Sequence, residues 1–253
     1  MVRKTGLNKN YYYFLGIVLF FCIWQTIAWF TSDIIIASPL SALLMLFYMV
    51  KTKIFWEALG ITMARLGISI LIGTLSGLVL GLVAGLNTNA GRVFEPVRWS
   101  LMSMPPVVVV TIGMIWFGMG GRQTVFVTSL LILPIMYLNT VEGVESIDPD
   151  LLELGQVYKA DLFFLLKSIY LPGMAGSLLT GVVLSAGLGL RLIILAEVLG
   201  AHTGIGYEFS MARTNLDAPA IFAWILVCLI IVGFFEFGLL NPAKQYIMKW
   251  KKI

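Results

Sequence analysis

The chain has 253 residues, of which 59% are hydrophobic and only 12% charged, with a mean hydropathy of +0.95; this excludes an ordinary water-soluble domain, whose helices each need a charged face. The net charge of +4 does not point to nucleic acid, because Lys and Arg form no stripe interleaved with aromatics. Cys22 and Cys228 both lie inside apolar runs, so neither a disulfide framework nor a thiolate metal site is expected.

A helix crossing the roughly 30 Å hydrocarbon core needs about 20 mostly apolar residues. Six stretches qualify: 11–30, 61–86, 97–117, 124–141, 173–199 and 218–240. The first lacks a small-residue cleavage site behind it and is followed by further spans, so it reads as a retained anchor and not a signal peptide. Residues 40–50 are too few to span. Introduced by Ser38-Pro39, a good helix start, they read as an amphipathic or re-entrant segment on the outer side, with a partial seventh span as the alternative. Residues 1–53 thus comprise a tail, a span and this outer segment, 54–243 the main membrane domain, and 244–253 a second tail. The fold class is all-α, polytopic.

Within the second span Gly73, Gly77, Gly81 and Gly85 recur every four residues, and the fifth carries Gly181, Ser185 and Gly189. In lipid, where apolar surface gives helices little reason to associate, small residues let backbones approach, so both rows read as packing seams; a direct part in the solute path is the alternative. Met102, Met104, Met114 and Met119 read as gap fillers, and Trp24, Trp29, Trp99, Trp116 and Trp224 as interfacial or packing residues.

Between the fourth and fifth spans runs the longest polar connection, "SIDPDLLELGQVYKADLFFLLKSIYLPG". Asp148 followed by Pro149 predicts a helix start. Leu151, Leu152, Leu154, Val157 and Tyr158 then form an apolar stripe on a helix too short to cross, which needs a partner, and a second apolar run closes at Leu171-Pro172.

Cationic residues set the orientation. With the N-terminus in the cytoplasm, the inner side holds Arg3, Lys4, Lys9, Arg92, Arg98, Lys159, Lys167, Lys244, Lys249, Lys251 and Lys252, and the outer side only Lys51, Lys53, Arg122 and Arg213. Both termini and residues 148–172 are therefore expected to be cytoplasmic.

Arg65, Arg191, Glu197 and Glu236 fall in or at the edge of spans, where an unpaired charge costs at least about 2.5–3.5 kcal/mol at the bilayer centre. Arg191 follows a long uncharged run and would suit an anionic cargo; a structural ion pair or a snorkelling side chain is the alternative. Glu197, six residues later, is a poor same-helix partner and is expected either beside the solute path or holding the outer end of its span. His202 stands alone without metal-ligand spacing, and Gly204-Ile205-Gly206 reads as a turn. No cluster of catalytic or metal-binding residues at one depth is visible, so no enzyme and no cofactor are expected. An ion-gradient-driven transporter would need mid-membrane carboxylates and often inverted repeats, and neither is evident. The chain also has no G-x-x-x-x-G-K-[ST] loop to hold nucleotide phosphates, so its energy must come from another chain.

The polar connection resembles the EAA loop of binding-protein-dependent importer permeases. Glu153-Leu154-Gly155 occupies the Glu-Ala-Ala triplet, and Ile169, Leu171 and Pro172 fall at the required spacing; Lys159 stands where the family has glycine, a backbone position a lysine adopts less readily. "RLGISILIGTLSGLVLGLVAG", "MPPVVVVTIGMIWFGMG" and "RLIILAEVLGAHTGIGYEFSMAR" are similar to successive blocks of the nitrate, sulfonate and taurine importer permeases, a subfamily that also serves aromatic and vitamin-precursor cargo. The resemblance implies a complex of two permeases, here expected as a homodimer, with two ABC ATPase subunits and an external substrate-binding protein. It also implies that Asp148, Leu151, Leu152, Glu153, Leu154, Gly155, Lys159, Ile169, Leu171 and Pro172 couple the chain to the ATPase.

Overall fold

The computed structural model describes residues 9–32, 34–235 and 238. Residues 1–8 of the expected first tail, Glu236 and the expected tail 244–253 lie outside them. The described chain is helical, with no strand among the described residues. In order come α1 (Lys9–Phe30), α2 (Pro39–Val50), α3 (Lys53–Leu86), α4 (Thr88–Ser103), α5 (Pro106–Phe117), α6 (Gly121–Glu145), α7 (Pro149–Val157) and α8 (Leu162–Leu165). A π-helical turn, Leu166–Tyr170, then leads through α9 (Leu171–Gly173) into α10 (Ala175–Gly200), followed by α11 (Ile205–Thr214) and α12 (Ala218–Gly233).

Among the described residues, three helices, α3, α6 and α10, are long and apolar enough to cross a bilayer unaided. The stretch 97–117, expected as one crossing helix, is not continuous: it falls in α4 and α5, which are bent by 102° at the break between them and form either one broken span or a re-entrant loop. The cause is Pro105-Pro106. Neither proline can donate a helical N–H, and a proline pushes the residue before it out of the helical region, so Met104 and Pro105 take extended ψ values of 130° and 132°.

The chain divides into two compact units. One comprises residues 1–56 and 208–229. In it Ser38 caps α2 by accepting from the Ser41 N–H at 3.2 Å, with Pro39 at the first helical position. The Trp24 indole N–H donates to the Ala37 carbonyl at 3.0 Å while its ring stacks on Phe222 with centroids 5.4 Å apart, and Phe55 stacks on the buried Trp224 at 5.7 Å.

The other unit comprises residues 57–207 and 230–253. At its centre stands α6, packed between α3 and α10. Gly73, Gly77, Gly81 and Gly85 all face α6: a Cβ at position 77 would lie 2.6 Å from the Leu133 carbonyl oxygen, and one at position 81 would lie 2.8 Å from that of Tyr137. From the other side, a Cβ at position 181 would meet the Met136 sulfur at 2.8 Å, Ser185 is fully buried, and a Cβ at position 189 would come only to ordinary contact distance of Leu66 and Ile132. Close backbone approach of this kind supplies the dispersion contacts that stand in for the hydrophobic effect inside lipid. Val109 and Val110 of α5, Val127 of α6 and Ala196 of α10 form one buried cluster; Leu66 of α3 with Leu190 and Ile193 of α10 forms another.

Candidate functional site

Two places in this second unit carry chemistry, and they lie at opposite ends of α6. At the end formed by its C-terminus, Gly143 packs on Met174 and Ile147 packs on Gly173, so residues 148–172 leave and rejoin the bundle at nearly one point. Asp148 starts α7 by accepting from the Asp150 N–H at 3.0 Å, with Pro149 at the first helical position. At Gly155 a Cβ would lie 2.6 Å from the Leu165 Cδ2 of α8, so a larger residue there requires that leucine to shift. The departure from alanine at this position is thus matched by a leucine that fills the space. Lys159 takes the left-handed conformation, with φ of 52°, so the turn after α7 has the backbone shape expected of glycine. Asp161 then caps α8, accepting from the Phe164 N–H at 3.2 Å.

Much of what this segment presents outward is apolar. Leu151 and Leu154 are 50% and 57% exposed, and Val157, Tyr158, Leu162, Phe163 and Phe164 are exposed with them. Glu153, Lys159, Leu171 and Pro172 are exposed, Leu152 and Ile169 half-buried, and Gly155 buried. Phe163 and Phe164 extend the patch beyond the stripe read from α7 alone.

At the other end of α6 a buried ion pair joins three elements. Glu197 of α10 is 0% exposed. Its carboxylate accepts from the Arg65 guanidinium of α3 at 2.7 Å, the Thr62 hydroxyl at 2.8 Å and the Gly206 N–H at 3.1 Å. Arg65 also donates to the Thr203 carbonyl and hydroxyl, both at 2.7 Å, and the Thr62 hydroxyl accepts from the Ile205 N–H at 2.9 Å. Three donors thus converge on one buried side chain, which offsets part of the cost of taking it out of water. Gly204, with φ of 108°, and Gly206 supply the path of the loop, since a Cβ on either would collide with Glu197. Close by, the Gly120 N–H donates to the Gly200 carbonyl at 2.6 Å and joins the ends of α6 and α10.

The sequence isolates Arg65 and Glu197 as intramembrane charges but does not pair them. The available signal was that each must find a partner, with Arg191 competing for the role. Arg191 itself is exposed on α10, away from the buried side that carries Glu197. Among the described residues no group of three or more His, Cys, Asp or Glu side chains could hold a metal ion.

Residues 73–243 match the family described as binding-protein-dependent transport system inner membrane component. A putative aliphatic sulfonates transport permease protein of Bacillus subtilis (strain 168) is 24% identical over 99% of this chain and 92% of its own length. A formylaminopyrimidine transport permease protein of Halalkalibacterium halodurans is 26% identical over 79% of this chain and 80% of its own. Among solved structures, the MetNI methionine ABC transporter in inward-facing conformations has a chain that aligns with a TM-score of 0.66 at 14% identity, covering 78% of this chain and 95% of that one. A bacterial ABC transporter for the import of alginate aligns at 0.63 and 15% identity, over 90% and 93%. The fold is shared across these chains while most side chains are not. The chain therefore belongs to the binding-protein-dependent transport system inner membrane components, the non-enzymatic permease subunits of ATP-binding-cassette importers.

Proposed function

We propose that this permease works as a homodimer with two ATPase subunits and an external substrate-binding protein, and that it carries a small anion of the nitrate, sulfonate or taurine kind or a vitamin or aromatic precursor. Residues 148–172 dock on the ATPase; residues 1–53, 54–243 and 244–253 serve as anchor region, permease core and cytoplasmic tail. The observation that carries this reading is the exposed apolar patch of α7 and α8, whose two ends are tied to α6 and α10. A partner that covers the patch and moves it acts on two core helices at once. Glu153 is the polar anchor of that contact, and Pro172 sets the direction in which the chain turns into the membrane. Arg191 lies along the solute path; Glu197 shapes the same region by fixing the outer loop to α3.

Coexpression with the ATPase gives the direct test: native mass measurement of the purified assembly should show two copies of each chain. One copy beside an unrelated permease would refute the homodimer. Orientation follows from single cysteines in a background lacking Cys22 and Cys228. An impermeant thiol reagent applied outside should label position 202 and spare position 153, and the opposite pattern would invert the assignment.

A further inference from the structure

Between α8 and α9 the backbone leaves the α-helical register for one turn. The Leu165 and Leu166 N–H groups donate four residues back, to the Asp161 and Leu162 carbonyls, and that of Met174 does so again, to Tyr170 at 2.9 Å. The Leu171 N–H instead reaches five residues back, to the Leu166 carbonyl. The wide turn has its cause in the next residue. In an α register the N–H of residue 172 would bond the Ser168 carbonyl, but Pro172 has no N–H and its ring would crowd that oxygen, so the α register loses much of its usual advantage. Closing the turn would hand the Leu171 N–H from Leu166 to Lys167, one bond for one. Little packing opposes the change, since Lys167 and Ser168 are exposed and Ile169 and Tyr170 half-buried. On either side of the turn the chain is held. Leu165 lies against Gly155, so α7 rests on α8, while Met174 is 0% exposed and packed on Gly143 of α6. The other connection of α7 to the bundle, residues 146–148, lies outside any helix.

We propose that residues 166–170 are a two-register hinge: when the ATPase moves the patch of α7 and α8, the turn passes from the π to the α register. The pair α7 and α8 then swings by about a quarter turn relative to α10, the rotation of roughly one α-helical residue. The far end of α10 explains why the movement is taken up here. The Arg65–Glu197 pair and the Gly120–Gly200 backbone bond fix that end to α3 and α6, so a rotation arriving at Met174 cannot be relieved by turning α10 as a whole. A continuous helix would pass every small displacement of the ATPase into the bundle; a turn with two registers passes on one discrete step. The inference deepens the docking of residues 148–172 on the ATPase and rests on that reading.

The test uses the assembled importer in lipid nanodiscs, with Cys22 and Cys228 replaced and spin labels on Asp150→Cys of α7 and Leu179→Cys of α10, both exposed positions. Dilution with unlabelled chain leaves one labelled copy in each assembly. With packed helix axes about 8–10 Å apart, a quarter turn should shift the distance between the labels by at least about 5 Å between the nucleotide-free and ATP-trapped states, as read by pulsed electron resonance. Deleting the exposed Ser168 removes the extra residue and fixes the α register. That variant should show a shift below about 1 Å and transport at about a tenth of the native rate or less, whereas Ser168→Ala, which keeps the length, should match the native chain in both. A native distance that is the same in the two nucleotide states would overturn the proposal, as would a deletion variant that transports at the native rate or keeps the native shift. ATP-driven uptake by the labelled native assembly without a change in distance would remove the hinge and leave the docking reading standing. Failure of the ATPase to bind would remove both.

Discussion

Replacing Arg65 by Met keeps a side chain of similar length in α3 but leaves Glu197 without its counter-charge at a position that is 0% exposed. Breaking a buried pair in this way costs about 3–5 kcal/mol, since the Thr62 and Gly206 donors that remain do not neutralise a carboxylate. The reverse change, Glu197→Met, is milder. Arg65 is 13% exposed and keeps two bonds to Thr203, so the loss is about 1–3 kcal/mol, mainly from the orphaned Gly206 N–H and Thr62 hydroxyl. The double variant buries no lone charge and should fall short of the sum by about 2–3 kcal/mol. Unfolding of the purified protein from mixed micelles by a denaturing detergent, followed by circular dichroism, gives the four free energies of the cycle. A coupling below about 0.5 kcal/mol, with Arg65→Met no worse than Glu197→Met, would refute the reasoning.

Leu151→Asp with Leu154→Asp removes two half-exposed leucines from the proposed ATPase contact; about 1.5–3 kcal/mol of burial is lost and two carboxylates must be desolvated, so affinity should fall at least about 100-fold in a pull-down titration, with unchanged insertion. Retained ATPase binding by that variant would refute the docking surface. Lys159→Gly relieves a left-handed lysine and should raise the thermal midpoint, the strain of about 1–2 kcal/mol being partly offset by glycine's extra unfolded-state entropy; an unchanged or lower midpoint would count against strain at that turn. Gly77→Val drives a side chain into the Leu133 carbonyl and Met136, separating α3 from α6, and should cost more than about 2 kcal/mol in the same unfolding assay, whereas Gly67→Val, where nothing lies within 4 Å, should cost little. Arg191→Met should lower transport of an anionic solute in proteoliposomes while the assembly stays intact; unchanged uptake would remove Arg191 from the path.

The sequence is most informative where one local pattern decides the outcome. Four glycines at four-residue spacing announce a flat helix face, and Asp148-Pro149 announces a helix start, because both depend on neighbours along the chain. It is less informative where two patterns compete. Across 97–117 the hydropathy argues for one crossing helix, yet Pro105-Pro106 breaks it, and the lack of two backbone donors outweighs apolar side chains. It is silent where partners lie far apart: Arg65 and Glu197 are separated by 132 positions, and neither carries any mark of which residue it will meet. Gly204 lies in the expected turn, with φ of 108°, but Gly206 already belongs to α11, and the reason for glycine there is close packing on α10: a Cβ would meet the Ile194 carbonyl oxygen at 2.5 Å and the Glu197 Cβ at 2.6 Å. At Lys159 the backbone shape is retained without the residue that usually permits it.

Because Ile147 rests against Gly173, residues 148–172 form a loop whose ends are already closed by the bundle. For such a loop the entropic penalty of length grows only as its logarithm, about 0.6 kcal/mol for each doubling. Insertions within it, or an epitope tag placed near Ala160, should therefore leave the membrane core almost untouched. The segment is thermodynamically close to a cartridge: its sequence can track the surface of whatever it fits, while the packing of α6 on α3, α5 and α10 is set by contacts elsewhere.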